Sequence, residues 1–164
     1  ENTQGAIDEA QVQAAIANAI APFDRSADQS AYKIQYALQE MMQDEVGIAR
    51  TEESLTKALG ELKRLREEAA KVGVDGNRHY NNGWHTALDL DNLLMVSEAI
   101  TLSALERKES RGAHSRLDFP DKDEAQGKMN VVIRRNADGQ MEVRRDPIKP
   151  LPAELQQIIE ENQK

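Results

Sequence analysis

The sequence contains no cysteine, which excludes disulfides, thiolate nucleophiles and cysteine-ligated zinc or iron–sulfur centres from this chain. Aromatic residues are scarce, with one Trp, two Phe and three Tyr, so the core must be aliphatic and economical. No apolar run approaches the roughly 18 residues that a membrane span needs. The N-terminus lacks the basic patch and short apolar stretch of a signal peptide, and a cytoplasmic location is expected. Basic residues are outnumbered, 21 against 29 acids for a net charge of −8, which speaks against nucleic-acid binding. No Gly-x-Gly-x-x-Gly and no Gly-x-x-x-x-Gly-Lys occurs, so a dinucleotide or ATP cradle is not expected. His79, His85 and His114 fall in no metal-ligand spacing. Asp89 and Asp91, two apart on a helix, face different directions and make no paired-acid site.

What remains is 164 residues with the patterning of one domain that is mainly helical. Asp8, with Gln11 three residues on, starts a first helix in which Val12, Ile16, Ala19 and Ile20 recur at helical spacing and which Pro22 ends. A second helix is predicted over Ala31 to Glu45, with Ile34, Leu38, Met41 and Met42 inward and Gly47 closing it. Thr51 caps a third, striped by Leu55, Leu59, Leu62, Leu65 and Val72. After a loop from Gly73 to Gly83, a fourth runs from about Trp84 to Lys108. It is apolar on more than one face, the pattern of a central helix with several neighbours. Met129, Val131 and Ile133 alternate, as do Met141 and Val143, on either side of the turn formers Asn136 to Gly139: a β-hairpin. Pro147, Pro150 and Pro152 form a stiff strap before a short last helix carrying Leu155, Ile158 and Ile159. The expected fold is mainly α: an antiparallel three-helix bundle with an added N-terminal helix and a small C-terminal β-hairpin. Residues 1–127 would form the helical bundle, and 128–164 the hairpin, strap and short helix packed on it.

Charge is unevenly spread. Residues 1–60 hold 10 acids and 4 bases, whereas 105–145 hold 8 acids and 10 bases. The densest segment, Arg107 to Pro120, sets Arg107, Arg111, Arg116 and His114 beside Gly112, Glu109 and Asp118. One reading makes Gly112 a helix C-cap, with basic residues favoured by the macrodipole at that end. Arg116 and Asp118 fit this reading less well. Arginine forks tie loops to carboxylates and carbonyls, which predicts an interlocked turn clamping the end of the long helix against another surface. A further alternative lets Arg107, Arg111, Arg116, Arg134, Arg135, Arg144 and Arg145 dock onto an acidic or phosphate-bearing neighbour. His85 reads as a polar residue at a helix start, beside Trp84.

The run Glu109-Ser110-Arg111-Gly112-Ala113-His114-Ser115-Arg116, followed by Asp118-Phe119-Pro120, resembles the C-terminal domain of succinate dehydrogenase and fumarate reductase flavoproteins. Val46-Gly47-Ile48-Ala49-Arg50-Thr51-Glu52 resembles the family's start of this domain, and Asn82-Gly83-Trp84-His85 through Leu94 its central helix. The ending near Leu151 to Leu155 looks most like the actinobacterial type. The resemblance implies a parent flavoprotein that binds FAD, usually through a covalent histidine link, and moves a hydride between succinate and the flavin. A separate iron–sulfur subunit would carry electrons toward quinone. The family's FAD fingerprint and substrate residues lie upstream of this domain and have no counterpart here. The isolated chain is therefore expected to be inactive and to hold no cofactor of its own. The implied role is a helical support packed on the FAD and capping domains. It would contact neither nucleic acid nor the bilayer directly, in a complex at the cytoplasmic face of the inner membrane. Arg107, Arg111, Gly112, His114, Arg116, Asp118, Trp84 and His85 would take structural or interface roles. The alternatives are the related domain of L-aspartate oxidase and a stand-alone helical interaction module.

Overall fold

The structure, a computed structural model, describes residues 7–162. Five helices are present among the described residues: α1 (Glu9–Ile20), α2 (Ala31–Glu45), α3 (Glu52–Ala69), α4 (Asn82–Glu106) and α5 (Ala153–Asn162). Four strands accompany them: β1 (Ala49–Arg50), β2 (Ser115–Arg116), β3 (Met129–Arg135) and β4 (Met141–Pro147). Short 3-10 turns cover Ala21–Asp24 and Gln126–Lys128.

The helix starts follow their side chains. Asp8 accepts from the N–H groups of Ala10 and Gln11, Thr51 and Ser54 form a reciprocal capping box, and Asn81 accepts from the Trp84 N–H. Three helices share one seam. Ion pairing of Glu45 with Lys57 at one end, and a bond from Gln29 to Glu68 at the other, set α2 and α3 antiparallel. Arg66 with Glu98 and Lys108 with Glu52 do the same for α3 and α4. The core is aliphatic: Ile34 and Leu38 from α2, Leu62 and Leu65 from α3, and Leu90 and Leu94 from α4 bury together with Val72. A second cluster of Val46, Leu55, Ala58 and Ala104 closes the far end. Thr101, fully buried in the helix seam, satisfies its hydroxyl on the Ser97 carbonyl at 2.8 Å.

The hairpin pairs antiparallel in the register Met129↔Pro147 through Arg135↔Met141. One of its faces, Val131, Ile133, Met141 and Val143, is half-buried, and Arg145 donates to Glu106 at the end of α4. That anchoring answers the marginal stability of two strands alone.

Two points differ from the pattern read in the sequence. The apolar repeat on α1 finds little cover: none of its residues is buried, and Val12 and Ile16 are exposed. The long helix ends at Glu106 with Arg107 as its C-cap, so Gly112 caps no helix. With φ of +61°, Gly112 instead turns the chain between Arg111 and His114, which exchange backbone hydrogen bonds. The two-residue parallel pairing of β1 with β2 is new, and α5 leaves every described residue exposed.

Leu94→Ala is expected to lower stability by about 2–5 kcal/mol through a cavity in the shared seam. Ile158→Ala, on exposed α5, should change it by less than about 0.5 kcal/mol. Urea unfolding at neutral pH measures both, and equal losses would contradict this placement of the core.

Candidate functional site

The segment that follows α4 folds into a knot that gathers three helix ends. Its centre is Arg116, a guanidinium with 0% exposure. Nε and Nη2 of Arg116 donate to the two oxygens of Asp118, each at 2.8 Å. Nη1 faces the carbonyls of Ala104, Leu105 and Arg107 at 3.1, 3.2 and 3.3 Å. Those oxygens belong to the last turn of α4, which lacks intrahelical partners. A side-chain cation therefore does what a C-cap glycine would otherwise do. The Phe119 ring covers the same guanidinium at 4.9 Å.

Asp118 links this end to another helix. Its Oδ2 accepts the Glu52 N–H at 2.8 Å, so the N-terminus of α3 has a capping carboxylate besides Thr51. The paired Arg116 holds the Asp118 carboxyl far below the usual carboxylate range, with the Glu52 N–H adding to the effect. The β1–β2 pairing lies alongside, extended by the Leu117 N–H bonding to the Arg50 carbonyl at 2.8 Å.

His114 joins the third end. Its Nδ1 lies 2.8 Å from Nη1 of Arg50, and its Nε2 lies 3.0 Å from the Arg107 carbonyl. An arginine only donates and a carbonyl only accepts, so these partners fix the neutral Nε2–H tautomer. Burial, and then the positive charges of Arg50, Arg116 and Arg107, hold the His114 pKa down against the raising effect of its bond to the Arg107 carbonyl. Arg50 in turn donates through Nε to the Val46 and Gly47 carbonyls at 3.1 and 2.6 Å, closing the C-terminus of α2.

Glu109 is the second hub. It is wholly buried, and it accepts from Arg107, from Arg111 Nε at 3.1 Å and from the Asp123 N–H at 2.9 Å. Burial alone would raise its pKa, but the donors from Arg111, Asp123 and Arg107 outweigh it and the carboxyl ends below its ordinary value. Arg111 also reaches the Asp123 carbonyl at 3.1 Å, and its guanidinium lies against Gly127, where a Cβ would sit 2.4 Å from Nη2. Arg107 continues to the Met129 carbonyl at 2.8 Å, which ties the knot to the root of the hairpin. Ser110 accepts from the Arg116 N–H at 2.8 Å and donates to the Phe119 carbonyl at 2.9 Å.

Six of the eight residues singled out in the sequence, Arg107, Arg111, Gly112, His114, Arg116 and Asp118, thus meet in one network. Trp84 and His85 do not. They sit at the opposite end of α4, where Trp84 packs edge-on against Phe23 at 5.2 Å and donates to the Ala19 carbonyl at 2.6 Å. His85 tilts beside Trp84 at 5.7 Å. Two partners of the network were absent from that group. Arg50 lies 64 positions before His114. Glu109 looks like one more surface acid until three donors are seen around it; its place between Arg107 and Arg111 was the available signal.

Among the described residues, no group of three or more His, Asp or Glu side chains could hold a metal, and no buried side-chain nitrogen or oxygen lacks a partner. Nor do these residues fit a flavin dinucleotide, whose pyrophosphate needs a free, glycine-lined helix N-terminus. The starts of α1, α3 and α4 are filled by Asp8, Thr51 and Asn81, and the chain from Asp24 to Ser30 that leads into α2 contains no glycine. A cleft of about 680 Å³ between α4 and the hairpin is an open groove with the Arg66–Glu98 ion pair among its lining residues.

A family model described as fumarate reductase flavoprotein C-term matches residues 35–159. The fumarate reductase flavoprotein subunit of Mycobacterium tuberculosis is 37% identical over 107 residues, covering 65% of this chain and 18% of that protein. The corresponding subunit of Haemophilus influenzae is 30% identical over 147 residues, or 89% of this chain and 24% of the relative. Among solved structures, the Mycobacterium smegmatis Sdh1 complex in the apo form matches with a TM-score of 0.80 and 36% identity, over 92% of this chain and 25% of that chain. The chain spans about a quarter or less of the length of these relatives.

Arg116→Met should cost about 3–5 kcal/mol, because it strands the α4 carbonyls and the Asp118 carboxylate together. The knot is also acid-sensitive. The folded pKa values of His114 and Asp118 both lie below their ordinary ones. Their contributions are thus complete above the unfolded pKa and disappear as pH falls, from about 6.5 downward for His114 and from about 3.9 downward for Asp118. Denaturant midpoints measured from neutral to acid pH should decline in that order. Asp118→Asn should flatten the lower limb, and an unchanged limb would remove Asp118 from the account.

Proposed function

This chain belongs to the fumarate reductase flavoprotein C-terminal family, and we propose that it is the helical support of a succinate dehydrogenase or fumarate reductase flavoprotein. The parent protein binds FAD upstream of this segment and interconverts succinate and fumarate there. The domain packs on the FAD and capping domains, and an iron–sulfur subunit joins the assembly. No described helix is long and apolar enough to cross a membrane. The assembled complex sits at the cytoplasmic face of the inner membrane through other parts.

The observation that carries this reading is the coincidence of the family match with the knot. The matched span, 35–159, contains every residue of the network from Val46 to Met129. The knot's geometry suits support and not chemistry. Its carboxylates are each engaged by an arginine and a backbone N–H, and its histidine is locked between a donor and an acceptor. Groups so engaged are poorly placed to exchange a proton with a substrate. The role of Arg107, Arg111, Gly112, His114, Arg116 and Asp118 is to hold three helix ends and the hairpin in one arrangement. Trp84 and His85 hold the opposite end.

In the full-length flavoprotein, Arg111→Ala should reduce FAD retention and the yield of complex with the iron–sulfur subunit. Arg111 donates to buried Glu109 and to the Asp123 carbonyl, so its loss frees the 120s loop that precedes the hairpin. Flavin absorbance per protein and co-purification of the iron–sulfur subunit are the measurements, and unchanged values for both would count against the reading. The chain by itself, given FAD, succinate and an artificial electron acceptor, should show no turnover.

A further inference from the structure

The knot satisfies itself, so its charges are not what meets the rest of the protein. We infer that α1, with the Tyr80 loop beside its root, is the surface on which the upstream part of the same polypeptide seats. This rests on the reading above, that the chain is one segment of a longer flavoprotein.

The composition of α1 does not match its surroundings. Eight of its twelve residues are Ala, Val or Ile and only Glu9 is charged, yet none is buried. Val12 is 39% and Ile16 49% exposed. Twelve residues are too few for a helix to hold itself in water, and a helix apolar over most of its surface is ordinarily covered. The root of α1, in contrast, is firmly held. Pro22 is buried, its carbonyl accepts the Val74 N–H at 2.9 Å, and Trp84 donates to the Ala19 carbonyl. Gly73 passes so close to the Arg25 and Ser26 carbonyls that a Cβ there would lie within 2.6 Å of both. The helix is fixed at one end and bare along its length.

The loop at that root carries a second sign. Tyr80 has φ of +55°, a conformation that a bulky residue seldom adopts, and its side chain is fully exposed. The strain is imposed by neighbours: Asn81 donates to the Asp75 and Asn77 carbonyls, and the His79 N–H donates to Asn77. Arg78 lies over the Phe23 ring at 5.5 Å, which joins the loop to the root of α1. A rigid loop that presents a tyrosine ring to solvent has the form of an interface anchor.

The occupant follows from length and chemistry. The relatives are between three and four times as long, and the family matched is a C-terminal one. The upstream polypeptide therefore leads into α1. A helix with one charge selects an apolar partner surface, and the nearest large body of chain is its own.

The test uses the full-length flavoprotein and hydrogen–deuterium exchange. Amides of residues 12–20 should exchange at least about tenfold more slowly than unstructured chain. Ile16→Glu should abolish that protection while the amides of α2, α3 and α4 stay protected; Ile16→Ala, which keeps the helix, should reduce it partially. Flavin absorbance separates the two levels of failure. A protein that holds FAD but leaves α1 at unstructured rates overturns this inference alone, whereas one that binds no FAD overturns the reading beneath it. Protection that vanishes on dilution would assign the face to a second copy and also overturn the inference.

Discussion

The buried guanidinium of Arg116 is the constraint on which the arrangement of the helix ends depends. A helix that stops inside a protein leaves carbonyl oxygens that must find donors. The α4 terminus meets this need with one side chain from ten residues beyond its last turn. Only arginine could do so. Its fork matches the Asp118 carboxylate with Nε and Nη2 while Nη1 turns back to Ala104, Leu105 and Arg107. A lysine would present one point of charge and could not serve both directions. Removing such a cation from water is costly, and the cost is offset only when every donor is used and the counter-charge is close. That condition explains why Asp118 must be near, and why Asp118 in turn reaches the first N–H of α3.

From this centre the polar network propagates by shared partners. Arg107 gives its carbonyl to His114 and to Arg116, and its guanidinium to Glu109 and Met129. Arg50 bonds both His114 and the end of α2. No member can move without leaving another unpaired in a partly dry environment, where an unmet group is costly. The residues joined are far apart in sequence, with 46–52 on one side and 104–129 on the other. A core with few rings gains long-range order here that aromatic packing would otherwise supply.

The sequence disclosed most of the helical architecture because periodicity reports burial directly. Ile34 and Leu38, Leu55, Leu62 and Leu65, and Leu90 and Leu94 lie where a 3.6-residue repeat puts them. The hairpin was legible for the same reason at period two, and Asp8 and Thr51 cap as their chemistry suggests. Periodicity failed at α1, whose apolar repeat is real but finds cover only at Ala19 and Ile20 within the described residues. The pattern records a demand for burial without saying which body meets it. The knot was legible as a crowding of charge but not as a circuit. Glu109 is indistinguishable in sequence from a solvated acid, and Arg50 joins through a strand pairing of two residues, too short to leave any alternation.

The two ends of the long helix therefore carry different burdens. At its C-terminus, buried charges lock three helices and a hairpin together, and they spend their hydrogen bonds on one another. At its N-terminus, Trp84 and Phe23 make a small aromatic knuckle on which the 3-10 turn and α1 are hinged, with a strained tyrosine loop alongside. A support domain requires both properties, and they conflict within one surface: an end that must keep its shape satisfies its own groups, while an end that must be joined leaves apolar area uncovered. Placing them at opposite ends of α4, a 25-residue helix about 37 Å long, resolves the conflict. The aliphatic seam between them carries the geometry from the locked end to the joined one. If α1 seats the upstream chain as proposed, the orientation of the domain on its parent would be set by how α1 leaves the knuckle and not by the arginines.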